Sequence, residues 1–578
     1  MKWAMAMAVA GCAGGKEPPC ADGFERLGER CEAVSADSGI APGPSPDDTS
    51  EADDTGSAPD STNARIELGS EVTCADPQLR ADREFRSPQV PSGQNTETSP
   101  WNPIAAAGFS VADFDADGRL DLFVPQVGSD QLYLDFLTEG ASDSAATHLP
   151  PGLDSPTAGS VAVDIEGDGD QDLFVVRPEG DHLLLINDGT GHFSDGTVAA
   201  GLAEQGWPAV GGVFTDANAD GDLDLLVMTY RTCDASLGPL PENPYTDGSQ
   251  ALWENLGDGI FTDVSDRIPE HPEGRSRQRA ALWLDADRDG DPDVYTVSDR
   301  GYISECMVNN QFFRNEGGIY TDDSEATSLG LQMEGMGVGF GDINGDGVID
   351  IAMSDMQRMW LMESDGMGGW YDATFARGLS LESASDDRWS GWGTEMADVD
   401  NDADLDLFIA FGGLPDAPIG EMNPWAQPDG LWIQADDGSF AAVADDWGVA
   451  NVASNRAAHL ADLNGDGWLD LMTREIGGEV VVRLAQCGEG GWTVVSLQGR
   501  GGNRDAIGAK VEVVTAEGTQ TRWVTQGSRG LQSSMPPAVH FGLGAQEDLT
   551  LNVIWADGEI STFRNLEPNR TVRVERIP

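Results

Sequence analysis

Seven nine-residue stretches in this chain concentrate side-chain oxygens at one fixed spacing. The first runs Asp113-Phe114-Asp115-Ala116-Asp117-Gly118-Arg119-Leu120-Asp121, and the others begin at Asp164, Asp216, Asp285, Asp342, Asp398 and Asp462. Position 1 is therefore always Asp. Position 3 is Asp115, Glu166, Asn218, Asp287, Asn344, Asp400 or Asn464, and position 5 is Asp117, Asp168, Asp220, Asp289, Asp346, Asp402 or Asp466. Position 9 is Asp121, Asp172, Asp224, Asp293, Asp350, Asp406 or Asp470. Position 7 is Arg119, Asp170, Asp222, Asp291, Val348, Asp404 or Trp468, so only its backbone carbonyl is common to all copies. Hard oxygens at 1, 3, 5 and 9 with a carbonyl at 7 form a ligand set for Ca²⁺, up to seven ions in all.

Position 6 is Gly118, Gly169, Gly221, Gly290, Gly347 and Gly467, where a sharp turn calls for positive φ; Ala403 departs from this in loop 6. Glu166, one methylene longer than Asp, is the other departure. Asp-Gly alone is also what a simple hairpin turn uses. Packing several carboxylates into nine residues, however, is repulsive without a cation, and a turn does not require it. The bidentate Glu of an EF-hand at position 12 is missing and no helical pattern flanks the loops.

The elements that must hold these loops are strands. Loop starts lie 51 to 69 residues apart, a repeat period. Small residues precede the loops, as in Gly108–Ala112, Ser160–Val163 and Gly337–Gly341. Apolar runs follow them, as in Leu120–Val124, Asp224–Met228 and Leu469–Met472. Third strands are expected at Gln131–Leu134, His182–Ile186 and Met359–Met362, and fourth strands at His192–Asp195, Ile260–Asp263 and Ile319–Asp322. Four short strands per unit make a propeller blade. The expectation is an all-β chain: a seven-bladed β-propeller with calcium-binding loops over residues 65–490, and a small C-terminal β-domain over 491–578, packed beside the ring. The outer strand of blade 7 comes either from Trp492–Leu497 or from Glu84–Val90.

On these motifs the blades resemble the FG-GAP/VCBS repeats of integrin α-chains and bacterial surface proteins. The tail Asn503–Lys510, with His540–Gly544 and Trp555–Gly558, resembles the ASPIC/UnbV domain. Together they are similar to the cartilage acidic protein family and its bacterial relatives. That resemblance implies an extracellular calcium-binding protein and no particular activity.

The remaining chain points the same way. Thirty-three basic against one hundred acidic residues give a net charge of −67, which seven divalent ions would bring only to −53; no nucleic-acid partner is expected. Residues 1–12 read as a lipoprotein signal peptide whose lipobox Val9-Ala10-Gly11-Cys12 would be acylated at Cys12, placing an exported chain at the bacterial cell surface or outer membrane. No other apolar run approaches the length of a membrane-spanning helix. Residues 13–64 hold a small cysteine loop and a Ser/Asp/Pro-rich acidic tether. Six cysteines besides Cys12 suggest the bridges Cys20–Cys31, Cys233–Cys306 and Cys74–Cys487.

No P-loop or nucleophile-and-base set stands out, so no catalytic residue is assigned; ubiquitous Asp/Glu pairs have no value as evidence for a glycosidase. Trp389, Trp392, Trp425, Trp432 and Trp447 could stack on sugars or simply pack blades. The long segments 231–250, 299–310 and 411–430 carry Tyr245, Tyr302 and Trp425 and are the expected ligand-binding surface, or else tolerated insertions. The reading is a calcium-stabilised cell-surface binding or adhesion protein whose partner is an extracellular protein or glycan. A polysaccharide-acting enzyme and an assembly or maturation factor are the alternatives.

Overall fold

The computed structural model describes residues 24–27, 30–33, 63–72 and 107–577. Within the last span it omits 127, 139–140, 152, 154–155, 178–181, 204–208, 230–249, 270–276, 300–307, 382–388, 414–425, 477, 486–487, 489 and 528–531. Cys12, Cys20, Cys74, Cys233, Cys306, Cys487, Tyr245, Tyr302 and Trp425 lie outside the described residues, and so do all three expected disulfides. Residues 1–59 form one unit, in which Phe24–Leu27 pairs antiparallel with Arg30–Ala33. Everything from Asp60 onward forms a second unit.

Among the described residues of that unit, seven antiparallel sheets succeed one another along the chain, and the fold is a β-propeller. Blade 1 is Ser110–Ala112, Asp121–Val124 and Gln131–Tyr133. Blade 2 is Gly159–Val163, Asp172–Val176, Leu183–Asn187 and Phe193–Asp195. Blade 3 is Ala209–Thr215, Asp224–Thr229, Ala251–Asn255 and Phe261–Asp263. Blade 4 is Gln278–Leu284, Asp293–Ser298, Gln311–Asn315 and Tyr320–Asp322. Blade 5 is Val338–Gly341, Asp350–Ser354, Met359–Ser364 and Trp370–Asp372. Blade 6 is Gly391–Ala397, Asp406–Phe411, Gly430–Gln434 and Phe440–Ala442, and blade 7 is Asn455–Ala461, Asp470–Glu475 and Val480–Arg483.

Small residues in the first strands have a plain cause. A Cβ added to Gly337 would lie 2.1 Å from the carbonyl oxygen of Trp392 on the next blade's first strand. The second strands are buried along nearly their whole length, as their apolar sequences require. Each described fourth strand opens on a buried aromatic: Phe193, Phe261, Tyr320, Trp370 or Phe440. These rings fill the seam with the preceding blade, as Trp370 does among Phe312, Val297 and Ile351. The first sheet meets the last in the same way, with Phe109, Val111 and Leu122 packed against Ala457, Met472 and Val482. Buried Arg474 ties that seam by donating to the carbonyls of Gly108 and Pro125.

Two four-stranded sheets make the C-terminal domain. One is ordered Ala64–Leu68, Arg570–Arg576, Gly491–Gln498, Val539–Gly544; the other Thr519–Trp523, Lys510–Val514, Leu549–Ile554, Ile560–Leu566. Alternating residues such as Val511, Val513, Phe541, Leu551, Phe563 and Val572 fill the space between them. Two expectations need correction. Ala64–Leu68 belongs to this domain and not to the propeller, because it pairs with Arg570–Arg576 over five residues. Trp492–Leu497 does not complete blade 7, since its strand is paired on both sides within the C-terminal sheet. Glu84–Val90 lies outside the described residues; among those described, blade 7 has three strands, and a groove of about 900 Å³ lined by Phe408, Leu431, Trp447, Leu471 and Val482 runs between blades 6 and 7.

The structure adds where the domain sits. It packs against the ring, sharing a core with blades 2 and 3, and its segment around 526–534 reaches to the blades' first strands. Gln526–Gly527 pairs with Val213 and Phe214 of blade 3's first strand, and Ser534 bridges to Ser110 of blade 1. The Ser534 hydroxyl accepts the N–H of Ala162 at 2.9 Å and bonds Ser110, whose hydroxyl lies 2.7 Å from that of Ser160. Gln532, Ser533 and Ser534 are at most 1% exposed. No side chain fits beside them: a Cβ on Gly108 or Gly159 would collide with Gln532.

Candidate metal centres and the domain that covers them

Each acidic loop is the connection between a blade's first and second strands, and its position 9 Asp is the first residue of the second strand in all seven blades. A single backbone course repeats. The position 1 carboxylate accepts the N–H groups of positions 5 and 6, as Asp113 does from Asp117 at 3.1 Å and Gly118 at 2.8 Å. The position 5 carboxylate accepts the N–H of position 7, as Asp346 does from Val348. Position 9 ties the loop to its blade. One oxygen of Asp350 accepts the N–H of Ile343, and the other accepts that of Ser364 at the end of the third strand.

Two residues per loop adopt positive φ, where sequence reasoning expected one. Position 6 does so at 79–102°, Ala403 included at 91°. Ala403 therefore keeps the loop's course at the steric cost of a left-handed alanine, about 1–2 kcal/mol. Position 4 also does so in every copy, at Ala116, Gly167, Ala219, Arg288, Gly345, Asn401 and Gly465. Only three of these are glycine, so the signal was present in the sequence but diluted.

The donor chemistry fits a hard cation. Carboxylate oxygens of Asp113, Asp115 and Asp121 gather within 4.8 Å of one another, as do those of Asp285, Asp287 and Asp289 and those of Asp398, Asp400 and Asp406. At position 3, Asp115 Oδ1, Glu166 Oε2 and Asp400 Oδ1 are sealed from solvent with no hydrogen-bond donor. Two of those three belong to the loops whose sequences depart from the pattern. Burial, opposed by the backbone donors, pushes the position 9 carboxyls up: to about 7 for Asp121 and Asp293, about 8 for Asp224, Asp350 and Asp470, and about 9 for Asp406. Val348 and Trp468 are buried at position 7, leaving the carbonyl as the only donor shared there. Arg119 is paired with Asp117 and Asp135 instead.

The C-terminal domain lies against four of these loops. Arg504 Nη1 donates to the carbonyl of Asp168 at 2.7 Å, and Gln171 Nε2 donates to Asp505 at 2.8 Å. The N–H of Asn503 donates to the carbonyl of Gly221 at 2.7 Å. On the other side, the N–H of Gly544 donates to the carbonyl of Asn401 at 2.8 Å, and His540 Nε2 bonds the carbonyl of Gly467 at 3.0 Å. Burial holds that imidazole down at about 4, in its neutral form. Glycines in and beside the tail motifs allow this approach. A Cβ on Gly502 would lie 2.0 Å from Asp222, and one on Gly542 2.1 Å from Asp398.

Families matched by sequence coincide with these parts. The FG-GAP-like repeat matches residues 164–227 and 285–353, and ASPIC and UnbV matches residues 499–577. The chain carries FG-GAP-like repeats and an ASPIC and UnbV domain. It is 28% identical over 268 residues to cartilage acidic protein 1 of Xenopus tropicalis, covering 44% of this chain and 39% of that protein. The Homo sapiens protein of the same name is also 28% identical, over 43% of this chain and 38% of its own. The match thus spans about two fifths of those relatives. Among solved structures, the BP39L lectin of Burkholderia pseudomallei aligns at 12% identity and a TM-score of 0.40, covering 66% of this chain and 97% of the lectin. A likeness that distant assigns no ligand.

Of the aromatics considered for sugar stacking, Trp392 is buried, donates Nε1 to the carbonyl of Gly412 and carries Arg456 on its face at 3.9 Å. Trp432 is buried against Phe411, and Trp389 also packs on that ring. Those three are packing residues. Trp447 is half exposed at the groove between blades 6 and 7.

Proposed function

We propose that this FG-GAP/ASPIC chain is an exported, calcium-stabilised binding or adhesion protein that does no catalysis and takes an extracellular protein or glycan as its partner. The observation that carries the reading is the set of buried position 3 oxygens without donors, beside carboxyls that burial alone would force to hold protons. A divalent ion bound by positions 1, 3, 5 and 9 and the position 7 carbonyl supplies the missing charge in each loop. The ions are structural: they hold the loops, and the loops hold the C-terminal domain. Acylation of Cys12 anchors the chain, with the Ser/Asp/Pro-rich stretch before the Ala64–Leu68 strand as the tether.

Recognition falls to the opposite end of the blades. The C-terminal domain occupies the loop end, whereas the connections after Thr229, Asp299 and Gly413 leave from the far end of their second strands. Those connections carry Tyr245, Tyr302 and Trp425. The soluble fragment 60–578, which keeps the Ala64–Leu68 strand, should capture a partner from surface extracts in calcium and lose it in chelator. Tyr245→Ala, Tyr302→Ala and Trp425→Ala together should weaken capture and leave the calcium-dependent melting shift intact. Capture undiminished by the triple change would move the surface elsewhere. Turnover of a glycoside panel by the purified fragment would replace a binder with an enzyme.

A further inference from the structure

Three of the acidic loops carry Asn at position 3, and the residue after it differs in a way that matters chemically. Asn344 and Asn464 are both exposed and both precede a glycine with open space beside it, Gly345 at φ 72° and Gly465 at φ 75°. Asn218 precedes Ala219. The two glycines part company at their N–H groups. Gly465 donates to Asp462 Oδ1 at 2.8 Å, whereas Gly345 N–H has no acceptor among the described residues. Loop 7 is held from above as well, by His540 on the carbonyl of Gly467; no hydrogen bond reaches loop 5 from the C-terminal domain among the described residues.

From this juxtaposition we propose that Asn344 is a self-modification site, deamidating through Gly345 when loop 5 holds no cation. The Gly345 nitrogen gives its proton to solvent and attacks Asn344 Cγ. Ammonia leaves and a five-membered succinimide closes. Water then opens the ring at either carbonyl, so the sum is amide plus water to acid plus ammonia, with no oxidant or reductant. Opening one way puts aspartate at position 3, the residue loops 1, 4 and 6 use. Opening the other way gives isoaspartate, which lengthens the backbone between positions 3 and 5 and ends the loop's ligand spacing. Asn464 is protected because its neighbouring nitrogen must first leave a carboxylate. A hydrogen bond to a charged acceptor slows that step about tenfold. Asn218 is slower again, since the alanine methyl crowds the attacking nitrogen.

The part played by the cation rests on the calcium reading; the ranking of the three asparagines does not. Full-length protein aged at neutral pH in EDTA, followed by peptide mass spectrometry, should show the amide-to-acid mass gain at Asn344 about ten times faster than at Asn464, with Asn218 last. Equal rates at Asn344 and Asn464, or a faster Asn464, overturn the inference. Gly345→Ala should suppress the gain at Asn344, and persistence of the gain in that variant overturns it too. A parallel arm in calcium separates the two readings. Slowing at Asn344 supports both, while an unchanged rate with the EDTA ranking intact supports the inference and counts against a cation in loop 5.

Discussion

Loops 2, 3, 6 and 7 share a backbone course with loops 1, 4 and 5 but not an environment. The first group lends carbonyls of positions 4 to 6 to the C-terminal domain: Asp168, Gly221, Asn401 and Gly467. No hydrogen bond joins the second group to that domain among the described residues. Loops 1 and 4 instead draw cations from their own blades, Arg119 onto Asp117 and Arg314 onto Asp287. One nine-residue motif therefore does two jobs. Its side-chain oxygens at positions 1, 3, 5 and 9 turn toward a common centre, and its carbonyls at positions 4 to 6 are where a second domain either meets the loop or does not.

The largest effect should come from removing the ions. Each cation site held at a hundred times its dissociation constant stabilises by about 2.7 kcal/mol, so chelation should lower the melting temperature markedly. The penalty has a pH signature. Position 9 carboxyls sit at about 7 to 9 in the ion-free fold but near 3.8 when unfolded. Between those values the ion-free fold holds protons that the unfolded chain releases, so its stability falls as pH rises. With the ion bound, the cation replaces those protons. The EDTA-induced drop should be small near pH 5 and large near pH 9, read by thermal melts in chelator and in calcium. A drop independent of pH would detach these carboxyls from the metal.

A packing change should separate the two groups of loops. Gly542→Ala forces a methyl toward Asp398 Oδ2 and the Cα of Asn401, at 2.1 and 2.5 Å in the unrelaxed structure. Overpacking of that kind costs about 1–3 kcal/mol and should loosen the domain from loops 6 and 7. Gly290→Ala in loop 4 meets nothing within 4 Å and pays only for a left-handed alanine, which Ala403 shows a loop can carry. Limited proteolysis between the domains should rise in the first variant and not in the second. Equal sensitivity would erase the distinction between covered and open loops.

Much of this was legible in the residues. Continuous apolar runs and small first strands placed the named blade strands to within one to three residues, because each strand answers to its own blade and neighbour. Loop positions 1 to 9 were legible for the same local reason. What the sequence hid was long-range. Nothing in Ala64–Leu68 says that its partner lies some 500 residues away at Arg570–Arg576. Gln526 and Ser534 look like loop residues until the blade strands they meet are known. Gly542 was read as part of a tail motif and Gly502 was not singled out; what each meets is a surface on another domain.

The finest distinction lies between two arginines. Arg504 reaches from the C-terminal domain to the carbonyl of Asp168, and its charge acts on Asp170 at position 7, whose side chain is not a shared ligand. Arg314 belongs to blade 4 and occupies Asp287, a position 3 carboxylate that a cation in loop 4 would also use. Removing them should shift metal affinity in opposite directions. Arg314→Ala frees Asp287 from a partly exposed ion pair, of the class that contributes about 0.2–1 kcal/mol, so loop 4 should fill at a lower calcium concentration. Arg504→Ala loses a hydrogen bond of about 1 kcal/mol that steadies the loop 2 backbone, so loop 2 should fill at a higher one. Melting temperature followed against calcium concentration, with hydrogen exchange at Asp168–Asp170 and Asp289–Asp291 to identify the loop, reads both. If the two variants shift the same way, open and covered loops are held alike, and the difference between them is one of position alone.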